Sequence, residues 1–146
     1  MRIINRRARH DFVILEKLEA GIELQGAEIK SIRAGRASLT EAHVRIINNE
    51  AFLINAYIAS WMGSEKLGLP ATKTRKLLLH RNQINAWLGR VAGSNLTIVP
   101  LSIYVKHNLA KVEIGLARAK RKHEKRELLR RRVIERETER ELRGKE

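Results

Sequence analysis

The sequence predicts a mainly β protein, a closed or nearly closed antiparallel barrel carrying small helices, followed by a basic C-terminal extension. Three observations predict it. Residues 12–24 alternate apolar and polar side chains, the period of a strand with one buried face. Further short runs of the same kind are joined by tight polar turns, and only the stretch after Asn82 holds a sustained helical stripe within the body. Half-exposed basic strands would leave unpaired edges, and closing the sheet removes them.

Taken in order, Phe12, Ile14, Leu18, Ala20, Ile22 and Leu24 form the buried face of the first strand, with Gly21 expected at a bend or bulge. Gly26 ends it. Ile29 and Ile32, three apart, predict a short helix that Gly35 closes in the left-handed conformation. Val44 and Ile46, then Phe52 and Ile54, flank Asn48-Asn49, a pair tolerant of positive φ, and predict a hairpin. Residues 60–76 hold Gly63, Gly68 and Pro70 without a period and read as a mobile loop. Asn82 is placed to cap a helix whose Ile84, Trp87, Leu88 and Val91 share one face, with Gly93 as its stop. Residues 96–105 and 111–117 read as paired strands around Lys106-His107-Asn108.

The 146 residues carry 30 Lys and Arg against 16 Asp and Glu, a formal charge of +14, with 43% hydrophobic and 4% aromatic residues. One aliphatic core is affordable, and the cationic excess points to a polyanionic partner, nucleic acid ahead of an anionic membrane. From Ala117 onward thirteen basic residues face seven glutamates, while nearly all apolar residues lie before it. The chain therefore divides into a folded domain, 1–117, and a basic tail, 118–146. The absence of cysteine excludes a disulfide framework and thiolate metal sites and fits a reducing, cytoplasmic setting. No apolar run has the length to cross a bilayer, and no membrane partner is expected.

Little in the sequence speaks for catalysis. The five histidines are scattered, Asp11 is the single aspartate, and no phosphate-binding or nucleophile-elbow motif occurs. No enzyme activity, metal or cofactor is expected. Three cationic features remain. Residues 5–10 bring Arg7 and Arg9 together at a basic start, readable as a solvated terminus or an RNA contact. Lys73 to Lys76, with Arg75 among them, abut the apolar Leu77-Leu78-Leu79, readable as edge protection or a phosphate clamp. In the tail, written as a helix, Arg132, Arg136 and Arg140 stack, as do Glu135 with Glu139, and no heptad seam holds. The tail is expected to be largely disordered alone and helical once phosphates neutralise it; a purely solubilising tail and a helix docked on the body are the other readings. Glu28, at the start of the short helix, suits capping and the helix dipole, and otherwise an acceptor for base edges.

Residues 5–11 (NRRARHD), 19–22 (EAGI), 26–35 (GAEIKSIRAG), 75–80 (RKLLLH) and 113–117 (EIGLA) together resemble the SmpB family of bacterial tmRNA-binding proteins, from Asn5 to at least Arg126. The resemblance implies an oligonucleotide-binding-type barrel that binds the tRNA-like domain of tmRNA and carries it to stalled ribosomes with elongation factor Tu. It further implies that Glu28, Lys30, Arg33, Leu78 and Lys111 serve RNA recognition; Arg36 and Lys76 are added to that face on their charge alone, as candidate phosphate contacts. By the same likeness Lys120, Lys122, His123, Glu124, Lys125 and Arg126 meet the decoding region, with the helical tail following the empty mRNA path. The family pattern usually has Asp where this chain has Glu124, and a glycine-containing joint where it has Arg118-Ala119-Lys120. Alanine for glycine favours helix by about 1 kcal/mol. For stacking on bases Tyr57, Trp61 and Tyr104 are the candidates, each better suited to core or rim packing. A structural ribosomal protein is the alternative of a different class, and an RNA-processing enzyme using Glu28 with a histidine a third.

Overall fold

The computed structural model describes residues 2–59 and 71–144, without the side chains of 122–124 and 141–144. In chain order the elements are β1 (Arg2–Ile4), α1 (Arg6–Asp11), β2 (Phe12–Ile22), α2 (Gly26–Arg33), β3 (Ala37–Ser38), β4 (His43–Ile47), β5 (Glu50–Ile54), β6 (Tyr57–Ile58), β7 (Arg75–Leu78), α3 (Arg81–Val91), β8 (Leu96–Lys106), β9 (Leu109–Ala119) and α4 (Lys122–Gly144). Neighbouring strands follow the order β8, β4, β5, β7, β2, β9, and β9 returns to β8, so the sheet closes into a ring. Every described pairing is antiparallel. The predicted barrel is thus the observed architecture, with β1 added along β8.

Turn chemistry sets the register. Asn48 and Asn49 at φ 51° and 63° join β4 to β5, and His107 and Asn108 at 52° and 63° join β8 to β9. Both central residues of each turn are left-handed, which matches the twist of the flanking strands. Gly35 at φ 73° ends α2 as its sequence position predicts. Alternate residues of the long strands fill the barrel: Ala20, Ile22, Leu53, Leu77, Ile98, Ile103, Val112, Ile114 and Leu116, with Ile32 of α2 and Trp87 of α3 packed onto them. On the outer side, Ala8 of α1 covers Val99, Leu101 and Ala117 in a second small cluster.

Several local expectations change. The bulge in β2 lies at Leu15, between Ile14 and Glu16, and Gly21 stays in register with both neighbours. Residues 75 and 76, expected in the loop, open a strand of the ring, because Leu77 and Arg75 pair with β5; residues 60–70 of the expected loop lie outside the described residues. His80, not Asn82, occupies the N-cap of α3, and its amide is bonded by Gln83 Oε1 at 3.0 Å. Residues 6–11, read from sequence only as a basic stretch, form α1, capped by Asn5, whose buried amide donates to the carbonyls of Pro100 (2.8 Å) and Leu39 (3.2 Å). The sheet runs to Ala119, two residues past the expected end of the folded domain, and Lys120 N still bonds Asp11 O at 2.8 Å.

Candidate nucleic-acid interface

Two adjoining regions carry the residues singled out in the sequence. The first is the start of α2 against β7. Glu28 is buried, and its Oε1 accepts the Gln25 amide at 3.1 Å, the capping role its position predicts. Oε2 accepts Arg75 Nε at 2.7 Å, and Lys73 Nζ stands 3.3 Å from Oε1. Burial raises this carboxyl, yet the Gln25 amide, the Arg75 guanidinium and the Lys73 ammonium outweigh it and hold it below its ordinary value. Arg75 spends its other donors on Ala56 O (2.7 Å), Ala71 O (2.8 Å) and Lys73 O (3.1 Å). Its side chain is 1% exposed. Arg75, expected from sequence as a phosphate clamp, lies inside the fold with four of its five guanidinium N–H groups engaged there. Glu28, expected as an RNA contact, is buried beside it with each carboxylate oxygen accepting a hydrogen bond within the fold.

The outward cations of this region are Lys30, Arg33 and Arg36, all exposed. Arg33 reaches Asn108 Oδ1 and so ties the end of α2 to the β8–β9 turn.

The second region is the outer surface of the ring, where cross-strand partners line up in one row. Leu78 of β7 faces Gly21 of β2, Gly21 faces Lys111 of β9, Lys111 faces Tyr104 of β8, and Tyr104 faces Arg2 of β1. Leu78 is exposed and Lys111 half-buried, and between them Gly21 leaves a notch. A Cβ at Gly21 would stand 3.2 Å from Leu78 Cβ, so the two strands are fitted to the missing side chain. The notch opens into a concavity of about 630 Å³ lined by Lys76, Leu78, Lys111, His80, Arg81 and Asn48 among others. Sequence reasoning had Lys76, Leu78 and Lys111; it missed Arg81 and Asn48, whose approach to Lys111 depends on ring closure.

Tyr104 is removed from the stacking candidates. Its ring is buried, the Arg2 guanidinium lies 4.1 Å from the ring centroid, and its hydroxyl donates to Glu19. Burial and the Glu19 carboxylate push the phenol up to about 12. The same hydrogen bond lowers Glu19, with Lys106, Lys111 and Arg2 adding to it against the effect of burial. Tyr57 is exposed on β6, and Trp61 lies outside the described residues.

Elsewhere, Arg7 and Arg9 are exposed on α1; Arg7 pairs with Glu41 at 2.6 Å, and the Arg9 carbonyl accepts Lys120 Nζ at 2.9 Å. Lys125 stands 3.6 Å from Asp11, and Arg126 is exposed. The side chains of Lys122, His123 and Glu124 lie outside the described residues. Residues 129–140 of α4 are exposed throughout, which excludes a helix docked on the body over that span. Among the described residues no group of three or more His, Asp or Glu converges as a metal site, and no helix is long and apolar enough to cross a membrane.

Comparison with known proteins bears on the whole chain. Residues 2–144 match the family model described as SmpB protein. The SsrA-binding protein of Shouchella clausii (strain KSM-K16) is 49% identical over 138 residues, covering 94% of this chain and 88% of the relative. That of Sulfurihydrogenibium sp. (strain YO3AOP1) is 48% identical over 141 residues, covering 97% and 93%. A solved structure described as "tmRNA-SmpB: a journey to the center of the bacterial ribosome" superposes with a TM-score of 0.70 at 43% identity, covering 89% of this chain and 95% of that one.

Proposed function

The chain belongs to the SmpB family, and from that premise we propose that it binds the tRNA-like domain of tmRNA and brings it to stalled ribosomes in trans-translation, in the bacterial cytoplasm. The activity is binding, not catalysis. The observation that carries the reading is the family match running through both the barrel and the tail. The geometry supplies a matching surface: Lys30, Arg33 and Arg36 on one side and Lys76, Leu78 and Lys111 on the other. A folded RNA is recognised largely by its backbone, and an array of cations around an apolar notch suits that mode. Arg7 and Arg9 extend the positive surface from α1.

The tail belongs to the ribosomal half of the task. We assign Lys120, Lys122, His123, Glu124, Lys125 and Arg126 to the decoding region and α4 to the empty mRNA path, with elongation factor Tu as partner during delivery. What supports this is the arginine-rich surface of α4, exposed throughout residues 129–140, which fits a phosphate-lined channel and not a protein core.

Binding of the full chain to the isolated tRNA-like domain tests the reading. We expect a clear preference for that RNA over duplex of equal length, and a logarithmic salt dependence whose slope falls by about 0.7–0.9 for each phosphate contact removed in Lys30→Ala and Lys111→Ala. Equal affinity for both RNAs at physiological salt defeats it.

A further inference from the structure

Most charged surface features already belong to the proposed RNA face or the tail; the buried Glu28–Arg75 pair does not. We propose that Glu28 and Arg75 are positioning residues, a latch that fixes α2 and its outward cations against β7 and its outward Lys76 and Leu78, and that neither touches RNA. The inference rests on the RNA-binding reading above.

Three observations carry it. First, the pair joins the two halves of the face directly: Glu28 sits at the third position of α2 and Arg75 at the first of β7, 2.7 Å apart. Second, Arg75 is buried and engages four of its five N–H donors within the fold. Its guanidinium meets one carboxylate and the carbonyls of Ala56, Ala71 and Lys73, a planar arrangement that a lysine ammonium does not reproduce. A phosphate would have to break these bonds in a buried place to reach it. Third, the same corner is tied again beside the latch: Ser31 Oγ donates to Ala59 O at 2.6 Å, Arg36 N to Ser31 O at 2.8 Å, and Ala59 N to Arg36 O at 2.9 Å. The chain just after β6 is thereby held to α2 and to Arg36, and the Lys30–Arg33–Arg36 array inherits its offset from the β7–β9 row.

A positioning pair and a contacting pair leave different marks. Loss of a phosphate ligand lowers the salt slope, whereas misplacement of cations that remain lowers affinity with the slope intact. Residues that act through each other are also non-additive. The experiment measures binding of the full-length chain and its variants to the tRNA-like domain across a salt series, each variant kept well below its own unfolding midpoint. We expect Glu28→Gln, Arg75→Lys and Arg75→Gln each to weaken binding about tenfold, the middle of the range for coupled neighbours. The Glu28→Gln/Arg75→Gln double variant should be no weaker than the weaker single, with all slopes at the wild-type value, while Lys30→Ala loses slope. The latch is overturned by a lowered slope in Arg75→Gln, by affinity kept in Arg75→Lys, or by additive losses in the double variant. Should Arg75→Gln fail to fold, Glu28→Gln and Arg75→Lys decide: affinity lost at unchanged slope in both supports the latch, and affinity retained in either overturns it. A wild-type chain without preference for the tRNA-like RNA overturns the function reading, and the latch with it.

Discussion

Glu28 shows how one carboxyl links the fold to acid. Burial works against its charge, and the Gln25 amide, Arg75 and Lys73 together more than offset that, so its folded-state value lies below the ordinary 4.5. A depressed carboxyl stabilises the native state above the unfolded value and loses that contribution as pH falls through 4.5 toward the folded one. Removing one partner of a buried pair leaves the other charge uncompensated, a loss of about 3–5 kcal/mol in comparable sites. We expect the urea midpoint of the wild-type chain to fall between about pH 5 and pH 3, and the fall to be shallower in Glu28→Gln, which no longer titrates there. The residual slope belongs to carboxyls such as Asp11, lowered chiefly by its hydrogen bond to His10, and Glu19, lowered chiefly by Tyr104. Equal slopes in the two chains would mean that Arg75 and Lys73 do not hold the Glu28 carboxyl down. From sequence alone the capping role of Glu28 was legible, because capping is local. Its bond to Arg75, 47 residues away, was not, and a cation beside an apolar run reads as surface until a buried acid is seen to face it.

The elements divide along the same line. The asparagine turn at 48–49 and the stop at Gly35 were readable because positive φ is a property of one or two residues. Helix α1 was not: its six residues have no apolar period, and its capping Asn5 earns burial from carbonyls 34 and 95 residues distant. Helix α4 is the opposite case, 23 residues whose helical form the sequence allowed and whose residues 129–140 no core supports. Arg132, Arg136 and Arg140 stand one above another, each like-charged pair costs about 0.2–0.5 kcal/mol, and residues 129–140 bury nothing against the body. The structure therefore gives the ordered form of an element with little to hold it in water. We expect the far-ultraviolet circular dichroism of the full chain, less that of a chain ending at Arg121, to show a weak helical difference at low ionic strength. Inorganic polyphosphate should strengthen it by neutralising the arginines. A strong difference already present without polyanion would mean that α4 is stable by itself.

On the scale of the whole molecule, the end of the ring is set by hydrogen bonds and not by composition. The composition shift near Leu116 places the cut at 117, yet β9 continues to Ala119, where it pairs with Phe12, and Arg118 pairs with both Val13 and Leu96. Lys120 then fastens to Asp11 O and Arg9 O, closing β9 over the end of α1. A chain ending at Ala117 would lose the terminal pairs of β9 with both β2 and β8 and the Lys120 bonds that tie β9 to the end of α1. A chain ending at Arg121 would keep every one of those pairings. Two truncations thus make one prediction. The chain ending at Arg121 should unfold at nearly the wild-type temperature and bind the tRNA-like RNA within about threefold of wild type, less than 1 kcal/mol, while failing to release stalled ribosomes in a reconstituted translation reaction. The chain ending at Ala117 should lose both stability and RNA affinity. Loss of RNA affinity on removal of α4 alone, with the unfolding temperature unchanged, would place part of the RNA face on the tail and end the division of labour.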